Sequence, residues 1–184
     1  MIIIPARLES SRFPKKVLID ILGIPMFVRV AKTASLLDDV VVATDSNEVT
    51  LVCDKYNLKS IMTNKNHQSG TDRIYEVAKT LDLSSSEIII NLQADEPFIE
   101  KEVISSLLEK TKNINQDLFI SSCFCRINKT VANDTNNVKV VLNDNKKAIY
   151  FSRSLIPYDR DNNFDDYMLH LGLYGFNVQS LQAF

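Results

Sequence analysis

The hydrophobic positions change their period along the chain, and the changes mark out the elements. Ile2, Ile3 and Ile4 form a continuous apolar run that stops at Pro5, and a loop carrying Arg7, Arg12, Lys15 and Lys16 follows. A run of β-branched residues reads as a strand covered on both faces, as in parallel sheets. Pro5, lacking an N–H, is expected to end its ladder. Gly23 and Pro25 introduce PMFVRVAKTASLL, with apolar residues at helical spacing, and DVVVATD predicts a second strand. Asp45 followed by Glu48 has the form of a capping box opening a helix to about Tyr56, and LKSIM is a third, short strand. Ser69 and Asp72 repeat the capping-box pattern before a helix that puts Ile74, Val77, Ala78 and Leu81 on one face. EIIINLQ predicts a fourth strand, and a helix is expected over 101–110.

Strands alternating with helices imply right-handed βαβ units and a parallel sheet. Beyond residue 115 the pattern changes. DLFISSCFCRI, NVKVVLND and KKAIYFSR are strand-like, with NDNK as a hairpin turn between the last two, and MLHLGLYGFNV reads as another strand. The aspartate-rich segment 156–166 reads as an exposed loop. The expected fold is α/β with three layers, αβα, a mostly parallel central sheet and a mixed second half. No repeat or linker divides it, so 1–184 is expected to be a single domain.

Composition narrows the function. Lys+Arg 21 against Asp+Glu 23 gives net charge -2, against a general nucleic-acid surface, which would be basic. No apolar stretch is long enough to span a membrane, and no charged segment precedes the first strand as in a signal peptide. Cys53, Cys123 and Cys125 are odd in number and form no CxxC pair. They are expected to be buried, reduced thiols in a cytoplasmic protein.

Four constellations carry chemistry. The four glycines, Gly23, Gly70, Gly172 and Gly175, make neither GxGxxG nor a P-loop, so any phosphate must be held mainly by side chains. Arg7, Arg12, Lys15 and Lys16 start at the carboxyl end of a buried strand, where open α/β sheets hold ligands, and a polyphosphate suits them. A solvated charged loop is the equal alternative. Asp95 and Glu96 end the fourth strand beside Pro97 and suit Mg²⁺, which takes one or two carboxylates and keeps positions for water and phosphate. Asp95 is the expected ligand, and Glu96 is expected to cap the next helix. His67 to Arg73 offers a helix N-terminus to an anion or base carbonyl, with Ser69 as its cap. Arg153, with Tyr150, Tyr158, His170 and Tyr174, could recognise a carboxylated sugar or could be a plain loop rim.

The ordered set IPAR with SRFPKKVL, VVATD, HQSGTDR, NLQADEP, VKVVL, YFSR with IPYDR, and HLGLYGF resembles the CMP-KDO synthetase family, the 3-deoxy-manno-octulosonate cytidylyltransferases. The resemblance implies a glycosyltransferase-A-like nucleotidyltransferase fold, Mg²⁺ as cofactor and CTP and KDO as substrates. CMP-KDO and pyrophosphate would be the products, made for lipopolysaccharide synthesis in the cytoplasm by a homodimer. By position in those motifs, Lys16, Arg12 and Asp95 are the expected catalytic residues, Asp95 also holding the metal. Ala6, Arg7, Thr44, Asp45, Ser69, Gly70, Thr71 and Gln93 are expected in the nucleotide pocket, and Arg153, His170 and Tyr174 at the sugar. The family has glycine where Lys15 and Ala94 stand and tryptophan where Tyr158 stands. It continues past HLGLYGF with a dimerisation segment and a VDTPED-like strand bearing a second acidic metal ligand. Neither occurs in these 184 residues, so the domain is expected to lack both. Rival readings are a cytidylyltransferase for another sugar acid, such as a sialic acid or an amino-substituted KDO, and a non-catalytic nucleotide-binding paralogue.

Overall fold

A computed structural model describes residues 1–8 and 13–183. In chain order the elements are β1 (Ile2–Pro5), β2 (Asp20–Ile21), β3 (Ile24–Pro25), α1 (Met26–Ala34), β4 (Val40–Thr44), α2 (Asn47–Lys55), β5 (Ser60–Met62), α3 (Gly70–Thr80), β6 (Ile88–Asn91), α4 (Lys101–Lys112), β7 (Ser121–Ile127), α5 (Lys129–Ala132), β8 (Lys139–Leu142), β9 (Ala148–Ser152), β10 (Tyr167–Asn177) and α6 (Val178–Ala183). They fall into two compact units, Met1–Ser121 with Leu173–Phe184, and Ser122–Gly172.

In the first unit the strands run β5-β4-β1-β6 in parallel, and the end of β10 pairs antiparallel with β6. The parallel part and the switch to antiparallel pairing are those the changing period predicts. Ile2, Ile3 and Ile4 are fully buried, as the unbroken apolar run requires. Successive side chains alternate between faces. Ile3 packs with Val41, Ala43, Ile89 and Phe176 beneath Ile74, Val77 and Ala78 of α3 and Leu181 of α6. On the other side α1 lies beside α4, with Phe27, Val30, Ile104 and Leu107 buried. Right-handed crossovers demand this arrangement, because β1-to-β4 and β5-to-β6 advance in opposite directions. Each isoleucine so enclosed contributes about 1.5–3 kcal/mol.

The second unit joins β8 to β9 in an antiparallel hairpin, with Lys139 opposite Ser152 and also opposite Leu169 of β10. Asn143 to Lys147 turns the hairpin, as NDNK predicts. The loop 156–166 is tied down rather than merely exposed. Lys129 holds Asp159 at 2.6 Å and also reaches Asn162, while Asp165 accepts from the Lys129 backbone N–H. The resulting ion pair raises the Lys129 ammonium and lowers the Asp159 carboxyl, in both cases chiefly through their mutual hydrogen bond.

Several local expectations are corrected. Asp45 caps nothing: Ser46 precedes α2, and the Asp45 carboxylate turns instead to Arg73. Glu96 caps nothing either, since Glu100 precedes α4. Pairing continues one step past Pro5, where the Ala6 N–H donates to the Ala43 carbonyl at 2.8 Å. A two-residue hairpin, Leu22 and Gly23 with φ 52° and 82°, joins β2 to β3 ahead of α1. Cys53 is buried, and burial pushes its thiol up to about 11, but Cys123 is half-buried and Cys125 exposed. Lys15 adopts φ 58°, ψ 23°, the left-handed conformation glycine takes freely, whereas Ala94 has no positive φ and needs no glycine.

Candidate active site

The strand order places β1 between β4, which the chain visits next, and β6, to which it returns after β5. That reversal is a topological switch point, and open α/β sheets bind their ligands outside the strands' carboxyl ends at such a point. Two loops leave those ends. After β1 the chain returns with the Lys15 N–H donating to the Leu8 carbonyl at 3.1 Å. Lys15 then turns it into a single 3₁₀ turn, Lys16–Leu18, anchored by buried Val17. After β6 the Leu92 N–H donates to the Ile3 carbonyl at 3.2 Å, and buried Leu92 and Ala94 hold the segment so that Asp95 emerges.

The two loops meet: Lys16 Nζ lies 2.6 Å from Asp95 Oδ2, both side chains about two-fifths exposed. The cation chosen for phosphate and the carboxylate chosen for metal therefore meet at one rim of the sheet, across 79 residues of sequence. Beside them Glu96 reaches solvent, yet loss of hydration and then the charge of Asp95 raise its carboxyl, partly offset by Lys16. Arg7 is exposed just beyond Ala6, which is fully buried. Lys15 leans away to Glu48 at 2.7 Å. Arg12 lies outside the described residues.

The helix N-terminus lies at the same rim. Ser69 and Asp72 form the predicted capping box, the Asp72 N–H donating to Ser69 Oγ at 3.1 Å and the Ser69 N–H to Asp72 Oδ2 at 3.0 Å. The Ser69 hydroxyl, then its backbone N–H, hold the Asp72 carboxyl below its ordinary value. A Cβ on Gly70 would stand 3.4 Å from Pro5, so this first turn, with Thr71, sits against the end of β1. Gln93 donates to Asn91 at 3.3 Å. Thr44 is fully buried, its hydroxyl accepting from the Ser46 N–H.

Sequence reasoning included Arg73 in the helix N-terminal segment but gave it no role of its own; it is only 2 % exposed on the buried stripe of α3. Its guanidinium donates to Asp45 Oδ2 at 2.6 Å and to the Thr63 hydroxyl. This braces the capped helix against the end of β4. The signal was an arginine four residues before Val77, on an otherwise apolar face. His67 joins none of this and contacts Glu76.

Tyr174 lies opposite Asn91 in β10, stacked on Phe176 with ring centroids 6.2 Å apart, and burial raises its phenol. Arg153 and His170 belong to the second unit. Arg153 is exposed and His170 half-buried, 2.9 Å from the Ser122 hydroxyl and edge-on to Phe151. Burial lowers the imidazole.

The residues present fit a hard divalent cation. No group of three or more His, Cys, Asp or Glu gathers among the described residues, so an all-protein cage is not offered. Asp95 with its neighbour Glu96 supplies one or two carboxylates, the number Mg²⁺ takes when a phosphate completes its shell. The Lys16 ammonium already stands in as a cation on Asp95.

A family profile described as Cytidylyltransferase matches residues 1–184. The chain is 50% identical over 190 residues to the 3-deoxy-manno-octulosonate cytidylyltransferase of Wolinella succinogenes, spanning 100% of this chain and 78% of that protein. It is 52% identical over 186 residues to the enzyme of the same name from Helicobacter acinonychis, covering 98% of this chain and 74% of that one. A solved structure of CMP:2-keto-3-deoxy-manno-octonic acid synthetase complexed with CTP superimposes with TM-score 0.89 at 38% identity, over 98% of this chain and 75% of the other. A Leptospira borgpetersenii cytidylyltransferase at 16% identity and TM-score 0.61 shares the fold. With a strand-end cation and carboxylate meeting at the switch point and these likenesses running the length of the chain, it belongs to the cytidylyltransferase family.

Proposed function

We propose that this nucleotidyltransferase transfers CMP from CTP to KDO, releasing pyrophosphate, with the nucleotide gathered at the carboxyl ends of β1, β4 and β6. The observation that carries the reading is the contact between Lys16 and Asp95 at that rim. In-line transfer needs positioning and charge neutralisation more than a protein nucleophile. The anomeric hydroxyl oxygen of KDO attacks the α-phosphorus. The bond from that phosphorus to the bridging oxygen breaks, pyrophosphate leaves, and the hydroxyl proton passes to solvent.

Lys16, with Arg7 and with Arg12 assigned on sequence alone, neutralises the phosphates. The first turn of α3 from Ser69 to Thr71, with Ala6, Gln93 and the strand end at Thr44 and Asp45, orients the nucleoside. Arg153, His170 and Tyr174 recognise the sugar acid, the arginine by forking onto its carboxylate. Asp95, with Glu96 adjacent, would hold Mg²⁺, which when bound screens phosphate charge and acidifies a hydroxyl near it. The wider setting belongs to the same proposal: a homodimeric enzyme of the cytoplasm, serving lipopolysaccharide synthesis. Its support is the resemblance of the sequence motifs to that family. No described helix is long and apolar enough to cross a membrane.

The test is pyrophosphate release from CTP plus KDO by the wild-type chain and by Lys16→Ala. The wild type should turn over, and the variant should lose orders of magnitude in rate with an unchanged circular dichroism spectrum. No release by the wild type overturns the proposal; near-normal release by the variant removes Lys16 from it.

A further inference from the structure

Lys139 is a lysine with no exposed surface, in the second unit, that neither the nucleotide nor the sugar set uses. Its Nζ donates to three backbone carbonyls: Arg153 at 2.6 Å, Asn137 at 2.8 Å and Asp134 at 3.2 Å. An ammonium has three N–H donors and no acceptor, so donors and acceptors match in number. Arg153 is tied to the same loop from the other side, its Nη1 donating to the carbonyls of Thr135 at 3.0 Å and Asn136 at 3.2 Å. The loop from 134 to 137 is thus held by both residues, and Lys139 also grips the Arg153 main chain.

Register adds a second argument. Lys139 stands opposite Ser152 of β9 and Leu169 of β10. Each of those residues is followed directly by a proposed sugar-binding residue, Arg153 or His170. The neighbouring rung is closed by the His170 N–H donating to the Val138 carbonyl at 2.8 Å. A buried ammonium costs solvation that an apolar side chain would not, and burial, then the Arg153 charge, lower it against the opposing pull of Asp134. Such a group earns its place by what it organises. With Nη1 committed to the loop, the Arg153 Nε–Nη2 edge carries no hydrogen bond among the described residues, and this is the paired-donor edge a carboxylate fits.

We infer that Lys139 is a positioning residue for the sugar acid: it fixes the backbone under Arg153 and the loop Arg153 grips, and so aims the guanidinium. The inference rests on the proposed function, through Arg153.

The experiment measures pyrophosphate release by the full chain while CTP and KDO are varied separately, for Lys139→Met, Lys139→Arg, Arg153→Ala and the double variant Lys139→Met/Arg153→Ala. Lys139→Met, similar in length but without donors, should raise the KM for KDO at least tenfold and leave that for CTP within twofold. Lys139→Arg, which keeps donors, should recover part of the loss. In the Arg153→Ala background Lys139→Met should add less than twofold. Should Lys139→Met not fold, as judged by circular dichroism and CTP binding, the arginine variant carries the same comparison. A variant that folds and keeps its KM for KDO, or that raises both KM values together, overturns the inference. If Arg153→Ala is silent while the wild type is active, Lys139 has nothing to aim and the inference falls alone. If the wild type releases no pyrophosphate, the proposed function falls first and takes this with it.

Discussion

Replacing Gly175 by alanine tests the packing beneath β10 and its Tyr174. A Cβ there would stand 2.6 Å from Ser121 Oγ and 2.8 Å from Thr111 Cγ2, and closer still to Thr111 Oγ1. Thr111 is fully buried on α4, its hydroxyl donating to the Leu107 carbonyl at 2.6 Å and lying 2.7 Å from Ser121 Oγ. Ser121 in turn donates to the Gly175 carbonyl at 3.2 Å. Room for the methyl therefore requires both hydroxyl side chains to turn away, Thr111 from the Leu107 carbonyl and Ser121 from the Gly175 carbonyl. Two hydrogen bonds at about 1 kcal/mol each, with overpacking of about 1–3 kcal/mol, put Gly175→Ala at roughly 3–5 kcal/mol. For a chain of this size that is roughly 10 °C in Tm. Urea and thermal unfolding followed by circular dichroism measure it. Thr111→Ala alone loses the Leu107 bond, but combined with Gly175→Ala it removes two of the three close contacts. The double variant should be more stable than the sum of the singles by about 1 kcal/mol or more. A Gly175→Ala protein within about 0.5 kcal/mol of wild type, or strictly additive effects, would refute the reasoning.

Other outcomes follow from the same geometry. Asp45→Ala strands the buried Arg73 guanidinium and should cost about 3–5 kcal/mol in urea unfolding, with Arg73→Leu in the same chain restoring part of it; a double variant no more stable than Asp45→Ala would contradict this. Asp95→Asn should abolish pyrophosphate release while lowering stability by no more than about 1 kcal/mol, because its ion pair with Lys16 is solvent-exposed; a large loss of stability would make Asp95 structural. His170 titrates below its ordinary value through burial, so as pH falls below about 6.5 the unfolded state protonates first and stability declines, levelling off below the folded-state value. His170→Gln should remove that decline in Tm between neutral and acid pH, and parallel wild-type and variant curves would count against it.

The parallel half of the fold was legible because IIIP, VVVAT and IIIN are apolar without interruption, which only a sheet covered on both faces accommodates. Ser69 and Asp72 were legible because a capping box is local chemistry. Asp45 with Glu48 has the same spacing and misled, since Arg73, a tertiary partner, takes the Asp45 carboxylate before the helix can. Leu22–Gly23 escaped notice because leucine is a poor signal for a left-handed turn position. In the site, Lys16 and Asp95 could be nominated separately as strand-end residues, but their contact depends on β1 and β6 being neighbours, a matter of strand order. Lys139 and Arg73 were hidden for the opposite reason: charge in an apolar stripe reads as an interruption until the carbonyls and carboxylate around it are in place.

The position of β1 has a consequence for how the chain is made. Its partners are β4, nearly forty residues downstream, and β6, nearly ninety downstream. At roughly 5–20 residues per second, the ribosome delivers β6 some 4–20 s after the isoleucines. Throughout that interval Ile2, Ile3 and Ile4 lack the neighbour on one of their edges. Among the four parallel strands the earliest made is enclosed only once β6 has followed it, and a chaperone that shields short aliphatic segments would meet its target there.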